Sequence, residues 1–277
     1  LDIEGVRMVR DYVQEVTGLE LKEEQLEIFS RRLAERISEL GFETPFNYYL
    51  AVKHRYKDTE LVNLIDKMKI SETYFFREED QLVALKEWVI PKIARKAGNG
   101  PIRIWSAGCS TGEEAYTLAI LCRELKRENP EFAHLRFTII ASDINEIALD
   151  SARIGKYSHW AIRHLPPRFV GTYVSTKNGG FEVAQELREM IRFIPVNLND
   201  VASWDERRDF RFDVVFCRNV LMYFSDRRVP EIIRGFHRVL EGDGYLFTAS
   251  TESLMRHTTI FKPIKMMNTF VYTKRET

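Results

Sequence analysis

The sequence predicts an α/β protein: a doubly wound parallel sheet with a small inserted antiparallel β-subdomain, preceded by an all-α N-terminal domain. Three observations lead there. Before residue 70, apolar residues recur at helical spacing and little alternates like strand. After Pro101, short apolar runs alternate with helical stretches, which implies parallel strands covered by helices on both faces. Between about 169 and 190 that alternation breaks around Asn178-Gly179-Gly180, a hairpin turn signal.

Taken in order, the first helix carries Ile3, Val6, Met8, Val9, Tyr12, Val13 and Val16. The second carries Leu26, Ile28, Phe29, Leu33, Ile37 and Leu40, and stops at Gly41. Thr44-Pro45 opens a third helix with Phe46, Tyr49, Leu50 and Val52; a fourth spans about Thr59 to Ile70 with Leu61, Leu64, Ile65 and Met68. Residues 71–100 read as a linker and helix. Then come a strand at Ile102–Trp105, a helix from Glu113 to Glu128, a strand at Phe137–Ala141 and a helix with Ala148, Leu149 and Ala152. A buried strand at Phe212–Cys217, a helix from about Asp226 to Leu240, a strand at Tyr245–Ala249 and a terminal antiparallel pair around Met267-Asn268 complete residues 101–277.

The 277 residues suit a catalytic domain plus a smaller one, and Lys+Arg and Asp+Glu are both 41. A net charge of zero gives no electrostatic reason to expect nucleic acid or an anionic membrane as partner. No apolar run approaches the ~20 residues that span a bilayer, so no membrane insertion is expected. Cys109, Cys122 and Cys217 read as free thiols in a reducing compartment, the cytoplasm. The histidines are scattered without zinc-ligand spacing, and no metal is expected. The start, Leu-Asp-Ile-Glu-Gly, lacks the plan of a signal peptide; it also lacks an initiator Met, which points to a trimmed or longer chain.

Ile104-Trp105-Ser106-Ala107-Gly108-Cys109-Ser110-Thr111-Gly112-Glu113-Glu114 is a strand, a small-residue turn and a helix start. Small residues let a ligand approach the backbone, and the helix offers free N–H groups. The spacing G-x-x-x-G is not the dinucleotide fingerprint, and no Lys-Ser/Thr follows as in a phosphate loop. Glu113 and Glu114 would repel a diphosphate. They either attract a cation, such as the sulfonium and ammonium of S-adenosylmethionine, or only complement the helix dipole. Asp143, at the end of the second strand, is placed to accept hydrogen bonds from ribose hydroxyls or to cap a helix. Arg218 and Asn219 follow a buried strand at the expected cleft, where Asn219 has a helix cap as its other reading. Arg77, in Ser71-Glu72-Thr73-Tyr74-Phe75-Phe76-Arg77-Glu78, lies at the seam of the two parts and can fork onto a carboxylate.

Together these segments resemble the CheR family of chemoreceptor glutamate methyltransferases, over nearly the whole chain. The shared motifs are Thr-x-Phe-Phe-Arg, Trp-Ser-Ala-x-x-Ser-Thr-Gly-Glu-Glu, Ser-Asp-Ile, Val-Asn-Leu and Cys-Arg-Asn-Val-x-x-Tyr-Phe. The resemblance implies a class I S-adenosylmethionine methyltransferase sheet. It implies that Ser71, Thr73, Arg77, Gly108, Glu114, Asp143, Asn197, Leu198, Arg218 and Asn219 line the cofactor site. Asp143 would hold the ribose and Asn197-Leu198 would flank the adenine. Ser71 departs from the family's usual Asn. Arg77 and Tyr223 would be catalytic, closest to the transferred methyl.

A glutamate side chain, with a pKa of about 4.3, is already an anionic nucleophile at neutral pH, so positioning rather than a general base is expected. The resemblance also implies docking of the receptors' helical cytoplasmic region on the N-terminal domain, where Arg32 and Arg36 share a helix face beside Arg31 and Lys22. Members of that family whose β-subdomain captures a receptor tail have a longer, glycine-rich loop, so by the resemblance the short link from Tyr173 to Phe181 implies recognition independent of a receptor tail peptide. Two other readings keep the fold: a methyltransferase with a different substrate, and a non-catalytic S-adenosylmethionine sensor or scaffold.

Overall fold

The computed structural model describes residues 2–21, 23–54, 57–67, 72–96, 100–177, 179–203 and 210–275. Lys22, Met68, Ser71 and Asn178 lie outside the described residues.

Four helices form the N-terminal layer: α1 (Ile3–Thr17), α2 (Leu26–Glu39), α3 (Pro45–His54) and α4 (Lys57–Lys67). The Asp2 side chain caps α1 by accepting from the N–H groups of Glu4 and Gly5, and Gly18 ends it at φ 76°. Val6, Val9, Val13, Phe29, Leu33, Ile37, Tyr48 and Leu64 make its core. Ile3, Ile28, Phe46 and Leu50, expected inside, are exposed; Tyr48 takes the place of its neighbours.

Arg36 has partners that its helix spacing does not show. Its guanidinium reaches the Glu60 carboxylate from Nε at 3.0 Å and Nη2 at 2.5 Å, and Tyr48 Oη donates to the same group at 2.9 Å. Nη1 donates to Glu39 on the surface at 3.0 Å, so the guanidinium is shared between the half-buried Glu60 network and an exposed carboxylate. Spacing along one helix shows a shared face, but not a partner on another helix.

Next come α5 (Glu79–Ala84), a π-helical turn at Leu85–Val89 and α6 (Ile90–Ala94). Pro91 lacks an N–H and crowds the carbonyl four residues back, and the wider turn before it accommodates both.

The main sheet is built from β1 (Ile102–Ala107), β2 (Phe137–Asp143), β6 (Ile191–Pro195), β7 (Phe212–Cys217), β8 (Leu240–Thr248), β9 (Phe261–Met266) and β10 (Thr269–Lys274). Its order is β6-β2-β1-β7-β8-β10-β9, parallel except at β10 and β9. Helices α7 (Glu113–Glu128), α8 (Glu146–Ile154) and α10 (Val229–Val239) pack on it. Period-two alternation divides the core: Ile102 and Ile104 join one buried cluster, Trp105 and Ala107 the other. Strand order reverses between β1 and its neighbours β2 and β7, which opens a crevice at their carboxyl ends.

The expected hairpin is present as β4 (Val174–Lys177) and β5 (Gly180–Val183), followed by the short α9 (Gln185–Arg188). A third strand, β3 (Lys156–Tyr157), pairs with β5, so the small sheet starts earlier than residue 169.

Candidate active site

The crevice is floored by the turn after β1. Gly108 has φ +80°, and a Cβ there would lie 2.5 Å from the Val220 side chain, so only glycine fits. Gly108 N and Cys109 N both donate to Ser142 O, at 2.7 and 2.8 Å, tying the turn to the end of β2. Ser110 N donates to Asp143 Oδ2 at 2.8 Å, and Asn145 N to Oδ1 at 2.9 Å. The cap of α8 is Asn145, whose side chain accepts from Ala148 N, and Asp143 lines the crevice.

The two glutamates at the start of α7 separate. Glu113 is buried and accepts the Thr111 hydroxyl at 2.7 Å, whereas Glu114 lines the crevice. Glu114 accepts from Ser106 Oγ at 2.7 Å and from Arg218 Nε at 2.8 Å. Arg218, its side chain 2% exposed, also donates from Nη1 to the Arg77 carbonyl at 2.8 Å. The ion pair thus ties three segments together: α7, the end of β7 and the strap before α5.

Past β7 the chain turns through Asn219, at φ 57°. It caps no helix; the following single turn, Leu221–Tyr223, starts after Val220. One buried carboxylate anchors this loop. Glu252 accepts from Asn219 N at 2.8 Å, Met222 N at 3.1 Å and Ala249 N at 3.2 Å. Burial raises the Glu252 pKa, against the pull of those N–H groups. Burial also raises the pKa of the Tyr223 phenol, opposed by nearby Arg77, and keeps the hydroxyl a donor at neutral pH.

Two cavities meet here and share Gly108, Ser110, Asn219 and Tyr223. The first is mostly apolar, with Ile144, Val196 and Leu198 beside Asp143 and Asn197. The second holds Thr73, Arg77, Glu114 and Arg218. Every described residue expected to bind cofactor or act on the methyl lines one or both. Ser71 lies outside the described residues, and Arg32 and Arg36 are on α2, away from both cavities.

The roof of the first cavity is absent from the sequence reading. Thr17, Leu19, Glu20, Leu21, Gln25 and Ile65 come from the helical layer. Glu20 N donates to Tyr223 O at 2.7 Å, Leu19 bridges Phe224, and Asn197 Nδ2 donates to Val16 O at 2.9 Å. A Cβ at Gly18 would meet the Asn199 side chain at 2.9 Å. These are mostly main-chain contacts, which any residue type can make; only Gly18 left a trace.

The donor set fits a cationic nucleoside. An apolar slot beside a carboxylate suits an adenosine, and Glu114 suits a positive charge. Asn219 Oδ1 is buried without a hydrogen-bond partner among the described residues. A buried acceptor left so is costly, and an ammonium group would satisfy it.

The family model described as CheR methyltransferase, SAM binding domain, matches residues 71–270. The chain is 32% identical over 253 residues to chemotaxis protein methyltransferase 2 of Vibrio cholerae, covering 91% of this chain and 86% of that protein. It is 32% identical to a chemotaxis protein methyltransferase of Borreliella burgdorferi, over 86% and 83% of the two chains. The corresponding protein of Escherichia coli is 31% identical, over 89% and 83%.

Proposed function

The chain belongs to the CheR methyltransferase family, and on that premise we propose that it methylates glutamate side chains of chemoreceptors, using S-adenosylmethionine and releasing S-adenosylhomocysteine. The observation that carries this reading is the pair of joined cavities. One suits a nucleoside, the other presents Arg77 and Tyr223, and their shared wall is where a sulfonium methyl would lie.

The cofactor, when bound, supplies an electrophilic methyl group. Asp143 would hold its ribose, Asn197 and Leu198 its base, and Glu114 and Asn219 its amino-acid end. Neither cavity is lined by a described histidine. None is needed, because the acceptor carboxylate is already ionised at neutral pH. Arg77 orients that carboxylate and Tyr223 donates a hydrogen bond to it. Both must hold it weakly, since equal binding of ground and transition states gains no turnover. The acceptor is the helical region of a receptor that lies in the cytoplasm. The short stretch of sequence from Tyr173 to Phe181 supports recognition without a tail peptide.

The test is transfer from methyl-labelled S-adenosylmethionine to a purified receptor cytoplasmic fragment that lacks any C-terminal tail, followed by mild base. Base-labile label on glutamate is expected, because carboxyl methyl esters hydrolyse there and N-methyl groups survive. Tyr223→Phe and Arg77→Ala should lose transfer more than cofactor binding. Base-stable label, or wild-type turnover in both variants, would refute the reading.

A further inference from the structure

Arg77 is held at two points. Its Nη1 donates to the Glu72 carbonyl at 2.8 Å, and its guanidinium lies 5.6 Å from the centre of the Tyr74 ring. Both points are themselves gripped by one residue, Arg163. Arg163 Nη2 donates to the Glu72 carboxylate at 2.7 Å, and its guanidinium lies 3.9 Å from the Tyr74 ring centre. The same guanidinium lies 3.9 Å from the ring centre of Trp160, and Nη1 donates to the Trp160 carbonyl at 2.7 Å.

The strap under this grip is strained. Phe76 and Glu78, on either side of Arg77, have φ of 59° and 55°, a region costly for residues with a side chain. Phe75, fully buried, and the bond from Phe76 N to Thr117 Oγ1 pin the strap from below. Trp160 is 63% exposed, so it adds little to the core and its clear contact is Arg163. An arginine suits the place because a planar guanidinium can stack on rings while its fork donates sideways.

We propose that Arg163 is a positioning residue for Arg77: by fixing Glu72 and Tyr74 it sets the direction in which Arg77 meets the acceptor carboxylate. This rests on the role given to Arg77 above.

The experiment is a double-mutant cycle, read as kcat on the receptor fragment and as affinity for S-adenosylhomocysteine by calorimetry. Arg163→Ala is expected to lower kcat roughly tenfold, as slight misplacement of a reacting group does, with affinity changed less than about twofold. Arg163→Lys should recover part of the loss, since it keeps the charge opposite Glu72 but not the stack. In an Arg77→Ala background, Arg163→Ala should cost nothing further. Should Arg163→Ala not fold, the exposed Trp160→Ala carries the same cycle with a smaller loss. Wild-type kcat in Arg163→Ala and in Trp160→Ala, or equal losses with and without Arg77, would overturn the inference while leaving the site reading intact. Wild-type turnover in Arg77→Ala would overturn the site reading and this inference with it.

Discussion

Arg36 in the helical layer and Arg218 in the crevice are each locked to a glutamate of low exposure, in different company. Glu60 receives four donors, two from Arg36 and one each from Tyr48 and Asn63, all within the bundle. Glu114 receives Ser106 and Arg218, and Arg218 continues to the carbonyl of Arg77. The first carboxylate is saturated and faces inward. The second is one side of a cavity. Similar chemistry thus closes a core in one region and joins three segments of a site in the other, and what separates them is whether the carboxylate borders a cavity.

The sharpest way to break the comparison is Arg218→Ala. Removing one partner of a buried pair leaves the other uncompensated, at about 3–5 kcal/mol. Cofactor affinity measured by calorimetry should fall by about a hundredfold, alongside a lowered Tm. A lowered Tm with wild-type affinity would make the role of Arg218 purely structural.

Glu60→Gln probes the other side. Burial alone would raise the Glu60 pKa, but the hydrogen bonds from Arg36, Tyr48 and Asn63 outweigh it and hold the group below its usual range. A carboxylate with a depressed folded pKa stabilises above its unfolded value and loses that contribution as pH falls through the folded one. The variant should lose about 2 kcal/mol at neutral pH and keep its cofactor affinity. Below about pH 4 the gap between the two proteins should narrow. A constant gap in acid unfolding curves would remove Glu60 as its source.

The smallest effect is expected at Arg32, on the docking face read from the sequence. Arg36 is also needed by Glu60, so Arg32→Glu tests docking with less cost to the bundle and should raise the KM for receptor about threefold and weaken its salt dependence. An unchanged KM at low salt would move the docking surface elsewhere.

What the sequence made legible follows from how signals are stored in it. Helix α7 appears at its expected bounds, because a glycine, an acidic first turn and a long apolar face all mark it. The terminal β9–β10 hairpin was also readable, since two apolar runs flank a turn. The two-residue β3 has too few positions to show a period, and so escaped notice. The pairing of Arg36 with Glu60 spans 24 positions and two helices, which periodicity along one helix cannot report. In the crevice, side chains with distinctive chemistry were readable, such as Asp143 and Glu114. The Glu20–Tyr223 main-chain bond and the Arg163 stack on Tyr74 were not.

The roof contacts bear on modularity. The stretch matched as a cofactor-binding domain runs from 71 to 270, yet Thr17, Leu19, Glu20, Leu21, Gln25 and Ile65 all stand outside it while lining the first cavity. A boundary drawn by sequence likeness therefore cuts through the walls of that cavity. The helical layer is at once a neighbour and a wall, and an excised 71–270 fragment would inherit the motif residues without the enclosure in which they act.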